Sequence, residues 1–161
     1  MSDNTSVTGD TIDVSVWRGR DKGRYETFTV PRNESQTVLD VVTHIQRCID
    51  STLAYRFACR VGMCGSCAMT VNGRARWTCR THVEAVVGGS GLEIAPLAQL
   101  PVIRDLVTDM REFFDKWARA RGQFQPTSTR KDDFARVGPE SAQRQQVDAG
   151  IECIGCGVCY S

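Results

Sequence analysis

The chain has 161 residues, with 20 Lys and Arg against 19 Asp and Glu, and it carries 8 cysteines. That length holds one full domain and part of another. A net charge of +1 argues against a nucleic-acid-binding domain, which carries a strong basic excess.

The polar stretch 1–10 shows no signal-peptide core, so a reducing compartment is expected, where clustered cysteines serve metals rather than a secreted disulfide framework. Ile12, Val14 and Val16 alternate with polar residues, Asp21-Lys22-Gly23-Arg24 marks a turn, and Tyr25 to Val30 alternates again, which predicts an N-terminal β-hairpin. Thr37 is the expected N-cap of a helix with Val38, Val41, Val42, Ile45 and Ile49 on one face. Cys48 falls at helical spacing from Ile45 and is expected to be a small buried hydrophobe. Ala68 to Val71, Asn72-Gly73 and Arg74 to Thr78 read as strand, type I′ turn and strand, and Gly91 to Ala95 as a closing strand. These elements predict an α+β sheet domain over 11–98.

The stretch Ala85 to Ile103 is interrupted by glycines, by Pro96 and Pro101 and by Glu93, so it is not a membrane span. Pro101 stands where a first helical turn would begin, and Ile103, Leu106, Val107, Met110, Phe113, Phe114 and Trp117 recur at helical intervals, predicting one long amphipathic helix. Gly122 to Arg130 reads as a linker and Glu140 to Asp148 as a short helix. The larger apolar groups of 121–161 are too few to offset chain entropy alone, so that stretch is expected to lack order by itself.

The chemistry lies in the cysteines. Cys59-x4-Cys64-x2-Cys67-x11-Cys79 is the ligand spacing of a plant-type [2Fe–2S] cluster, whose irons take four soft thiolates, three of them from one sharply bent loop. Gly62 and Gly65 permit that bend. Structural zinc sites favour paired Cys-x2–4-Cys knuckles, which this spacing lacks, although a zinc-stabilised interaction module is the competing reading from another class. Cys153-x2-Cys156-x2-Cys159 matches the opening of the bacterial [4Fe–4S] run, with the fourth cysteine expected just beyond Ser161, as in a fragment cut inside a motif. Between Ser51 and Ser90, Arg56, Arg60, Arg74, Arg76 and Arg80 face only Glu84, so the first loop is locally basic. His44 and His82 lack the paired arrangement of a Rieske centre. No nucleophile–base pair or phosphate loop is present.

At Tyr55-Arg56-Phe57-Ala58-Cys59-Arg60-Val61-Gly62-Met63-Cys64-Gly65-Ser66-Cys67-Ala68-Met69 the sequence closely resembles the iron–sulfur subunit of succinate dehydrogenase and fumarate reductase. Leu100-Pro101-Val102-Ile103-Arg104-Asp105-Leu106-Val107 resembles the opening of that family's second domain, and Cys153 to Tyr160 its first [4Fe–4S] ligand run. The resemblance implies a β-grasp ferredoxin domain over 11–98 and, over 99–161, the incomplete start of an α-helical ferredoxin domain. It implies a [2Fe–2S] cluster on Cys59, Cys64, Cys67 and Cys79, a [4Fe–4S] cluster partly ligated by Cys153, Cys156 and Cys159, and a [3Fe–4S] cluster whose ligands this sequence does not contain. Electrons would pass between the FAD of a flavoprotein subunit and quinone at a membrane-anchor subunit of cytochrome b type. The chain would sit peripherally, through its partners, on the cytoplasmic face of the inner membrane, with no catalysis of its own. A ferredoxin-type domain of another multi-cluster oxidoreductase is the alternative within electron transfer.

Overall fold

The computed structural model describes residues 10–89, 91–122, 131, 133 and 138–161. The polar tail 1–10, except its last residue, and nearly all of the expected linker Gly122 to Arg130 lie outside the described residues.

Strand β1 (Thr11–Arg18) pairs antiparallel with β2 (Arg24–Pro31), Ile12 facing Val30 and Arg18 facing Arg24. Its other edge runs parallel to β5 (Leu92–Ala95), with Val14 against Leu92 and Val16 against Ile94. The hairpin β3 (Ala68–Val71) and β4 (Arg74–Trp77) joins through an antiparallel β3–β5 contact, so the five-stranded order is β2-β1-β5-β3-β4. Asn72 and Gly73 have φ of 47° and 74°, the doubly left-handed geometry of the expected I′ turn.

Helix α1 (Val38–His44) lies across this sheet because one face of it is apolar. Val38, Val41, Val42 and Ile45 share a buried cluster with Val14, Val16, Val30, Met69, Val71, Leu92 and Ile94. Burial of each such side chain contributes roughly 1.5–3 kcal/mol. Thr37 caps the helix as expected: its hydroxyl accepts from the Asp40 N–H, and the Asp40 carboxylate accepts from the Thr37 N–H at 3.0 Å. The result is the α+β, β-grasp arrangement.

Two expectations fail here, each for a physical reason. Beyond α1 the chain widens into a π-helical turn over Ile45–Ile49, closed by the Asp50 N–H on the Ile45 carbonyl at 2.8 Å. The wider turn changes the angular phase of the residues that follow, so Cys48 and Ile49 are exposed rather than buried. The expected long helix from Pro101 is instead a short hairpin, β6 (Val102–Arg104) and β7 (Val107–Thr108), followed by α2 (Arg111–Arg119). Asp105 breaks the helical run with φ of 50°, and its carboxylate is taken by the Gly19 N–H at 2.8 Å, the Ala54 N–H at 2.9 Å and Arg18 Nη1 at 2.9 Å.

Helix α3 (Ala142–Ile151) overlaps the expected short helix, with Ser141 accepting from the Arg144 N–H as its cap. The residues after α3 find apolar partners on the rest of the chain. Tyr160 packs edge-on to Phe113 at 5.6 Å, in a cluster with Leu97 and Leu100, and the Ser161 hydroxyl accepts from the Ala98 N–H at 2.7 Å. The described chain is thus a mixed-sheet domain followed by helices, the latter matching the start of a second, all-helical domain.

Candidate functional site

The first cysteine loop is a bent segment between α1 and β3. Arg60, Gly62 and Gly65 take left-handed φ of 60°, 77° and 67°, which curls the chain so that the N–H groups of Val61, Met63 and Cys64 all point at Cys59 Sγ, at 3.5, 3.3 and 3.3 Å. Arg60 braces the loop from outside. Its guanidinium lies 4.7 Å over the Phe57 ring, which stacks on Tyr55 at 5.4 Å, and it reaches Asp40 of α1 at 3.8 Å.

The four thiols sit in different surroundings. Cys59 is half-buried and Cys64 exposed, while Cys67 and Cys79 are buried together with Leu39. Hydrogen bonds from Ser66, and then from Cys59, hold the exposed Cys64 thiol down to about 6. Burial, followed by its hydrogen bond with Cys67, pushes the Cys79 thiol up to about 11.

A reactivity difference follows. Cys64 deprotonates as pH rises through about 6, so it is the more thiolate-like and nucleophilic of the two at pH 7 and loses nucleophilicity as pH falls below that midpoint. In the reduced, chelator-treated chain, iodoacetamide is expected to label Cys64 rapidly at pH 7 and Cys79 negligibly, as read by mass spectrometry of quenched time points. Equal rates at the two positions would refute the assignment.

The second cysteine run is laid against the first loop. Cys156 Sγ accepts from Trp77 Nε1 at 3.2 Å, and Cys156 occupies the space into which a side chain on Gly65 would extend. Cys153 and Cys159 are exposed. Between the two cysteine segments lies a cleft of about 250 Å³, lined by Arg56, Cys64, Ser66, Thr108, Phe114 and Cys156 among others. Sequence reasoning missed Trp77 as part of this site, and read Arg60 only as one of the basic residues around the loop. Trp77 stands two residues before Cys79, and that proximity was the available signal.

The placement corrects the cofactor expectation. Among the described residues, no group of three or more His, Cys, Asp and Glu side chains is disposed to hold a metal ion. Cys59, Cys64, Cys67 and Cys79 do not form the expected [2Fe–2S] site: Cys67 and Cys79 are buried with Leu39, whereas Cys59 is half-buried and Cys64 exposed. Cys153, Cys156 and Cys159 do not form a partial [4Fe–4S] site either, since Cys156 turns to Trp77 and the other two face outward. Among the described residues, no helix is long and apolar enough to cross a membrane.

Over residues 12–115 the chain matches the family described as 2Fe-2S iron-sulfur cluster binding domain, and it belongs to that family. Within that class it is homologous to the iron–sulfur subunits of succinate dehydrogenase and fumarate reductase. The fumarate reductase iron–sulfur subunit of Mycobacterium tuberculosis is 33% identical over 144 residues, covering 85% of this chain and 55% of that protein. A mitochondrial succinate dehydrogenase [ubiquinone] iron–sulfur subunit of Oryza sativa is 36% identical over 126 residues, covering 76% of this chain and 43% of that protein. A chain of the Mycobacterium smegmatis Sdh1 complex in its apo form superposes with a TM-score of 0.78 at 33% identity, covering 94% of this chain and 63% of that one. The chain spans about half the length of the curated fumarate reductase subunits it matches.

Proposed function

We propose that this chain is the electron-relay part of a respiratory oxidoreductase of the succinate dehydrogenase and fumarate reductase kind. It passes electrons between a flavoprotein subunit and quinone at a membrane-anchor subunit, and performs no substrate chemistry itself. Its functional residues are the thiols of Cys59, Cys64, Cys67 and Cys79 in the first domain, over 11–98, and those of Cys153, Cys156 and Cys159 in the second, over 99–161. It associates with the cytoplasmic face of the inner membrane through those partners.

One observation carries this reading: the two cysteine segments, far apart in sequence, meet in space, with Cys156 seated on Gly65 and Trp77 beside the first loop. That adjacency, in a chain that belongs to an iron–sulfur domain family, supports a relay role and suits neither a hydrolytic site nor a nucleic-acid surface. The homologies to iron–sulfur subunits support the same role.

Production of the chain with and without its flavoprotein and membrane partners tests the proposal. The chain alone is expected to oxidise no succinate, whereas the assembled complex reduces quinone with succinate. Cys59→Ser combined with Cys67→Ser is expected to lower that rate at least about tenfold, a transition-state loss of about 1.4 kcal/mol or more. Succinate oxidation by the chain alone, or full quinone reduction by the double variant, would overturn the proposal.

A further inference from the structure

We propose that Trp77 is the positioning residue that seats the second cysteine run against the first cysteine loop, by donating its indole N–H to Cys156 and thereby fixing where that sulfur lies. The functional weight of this contact rests on the relay reading above, though the contact itself does not.

Trp77 ends β4, two residues before Cys79. Its ring packs on the buried group of Leu39, Cys67 and Cys79, so the first loop fixes where the indole lies. Ring carbon Cε3 also stands 3.7 Å from the position a side chain on Gly62 would take, which places the loop's bend and the indole side by side. From that anchored ring, Nε1 reaches Cys156 Sγ at 3.2 Å. An indole N–H can only donate, and a cysteine sulfur is a weak acceptor. A pairing between them is directional and fixes the sulfur's position.

The apolar contacts of the run do not have this property. Gly155 lies over Phe114, and Gly157 over Met110, Leu97 and Leu100. Those surfaces are apolar and allow sliding, because dispersion has no preferred direction. Lys116 Nζ to the Tyr160 hydroxyl and the Ala98 N–H to the Ser161 hydroxyl, each at 2.7 Å, are directional but exposed and at the far end of the run. Trp17 shows that an indole in this chain need not be satisfied, since its buried Nε1 has no partner among the described residues. The pairing of Trp77 is therefore a specific feature of the junction between the cysteine segments. Gly65 completes it by leaving space for Cys156 at the same point.

Two measurements on the reduced, metal-free 161-residue chain test this, and neither involves electron transfer, so a failed relay and a failed contact give different results. In Trp77→Phe, which keeps an aromatic ring but removes the donor, alkylation of Cys156 is expected to speed up about five- to tenfold, the range for losing one hydrogen bond. Cys153 and Cys159, already exposed, serve as internal standards and keep their rates. In the second measurement the chain carries 15N-labelled tryptophan and Cys156→Ala. The Trp77 indole resonance is expected to move and to exchange faster with solvent, while those of Trp17 and Trp117 stay in place. This variant leaves Trp77 and the β3–β4 hairpin intact, so it reads out even if Trp77→Phe folds poorly. An unmoved Trp77 resonance, or a Cys156 rate in Trp77→Phe equal to that of the native chain, would overturn the assignment.

Discussion

Asp105→Ala is expected to lower folding stability by about 3–5 kcal/mol, because removing one partner from a buried ion pair strands the others. The Asp105 side chain is 4% exposed and that of its partner Arg18 is 11% exposed, with Arg18 Nη1 2.9 Å from the carboxylate. The same carboxylate accepts from the N–H groups of Gly19 and Ala54, so alanine leaves two backbone donors as well as a guanidinium in want of an acceptor. Arg18 keeps Asp50 at 2.8 Å and the Thr52 hydroxyl at 2.7 Å, which limits the loss but does not repair the two amides. The urea midpoint, followed by circular dichroism, measures the effect. A change under about 1 kcal/mol would place this network on the solvated surface, where exposed pairs contribute little.

Gly65→Ala is expected to detach the second cysteine run while leaving the sheet domain folded. Two costs combine at this position. Its φ of 67° is left-handed, a conformation that costs an L-residue roughly 1–2 kcal/mol. A Cβ there would also overlap the Cβ of Cys156 and lie 3.0 Å from its Cα. Neither Cβ can rotate out of the way, so the lowest-energy response is for the terminal run to lift off. Limited proteolysis should then cut within 138–161 at least about tenfold faster than in the native chain, as expected when local opening becomes cheaper by about 1.4 kcal/mol or more. Far-ultraviolet circular dichroism should keep its sheet signal. Unchanged cleavage would mean that the run is not seated on Gly65.

Where local pattern and tertiary partner agreed, the fold was legible in the sequence. Ile12, Val14 and Val16 alternate because one face of β1 is buried, and all three are core residues. Thr37 and Asp40 stand three apart and form a capping box, and Asn72-Gly73 turns as such a pair should. The apolar spacing from Ile103 to Trp117 misled because half of it belongs to a hairpin. What breaks the helix is Asp105, whose carboxylate serves Arg18, Gly19 and Ala54, none of them within helical reach in sequence. Cys48 misled for a local reason, since periodicity arguments assume 3.6 residues per turn and Ile45–Ile49 does not keep it.

At the site the balance is similar. The spacing of the seven cysteines and the need for glycine at Gly62 and Gly65 could be read directly. The burial of Cys67 and Cys79, against a half-buried Cys59 and an exposed Cys64, could not, because it depends on Leu39 and the sheet beneath. The seat of Cys156 beside Trp77 is a contact across 79 positions that no local signal encodes.

The parallel pairing of β1 with β5 has a consequence for biosynthesis. Val14 and Val16 emerge from the ribosome early, yet their partners Leu92 and Ile94 emerge only after the whole first cysteine loop has been made. Non-local pairings of this kind form slowly, since the intervening loop must be closed before the contact is rewarded. The nascent chain therefore carries the thiols of Cys59, Cys64, Cys67 and Cys79 unshielded through a period when the centre of its sheet is still open. A chaperone that shields those thiols would have its window then, before β5 inserts between β1 and β3.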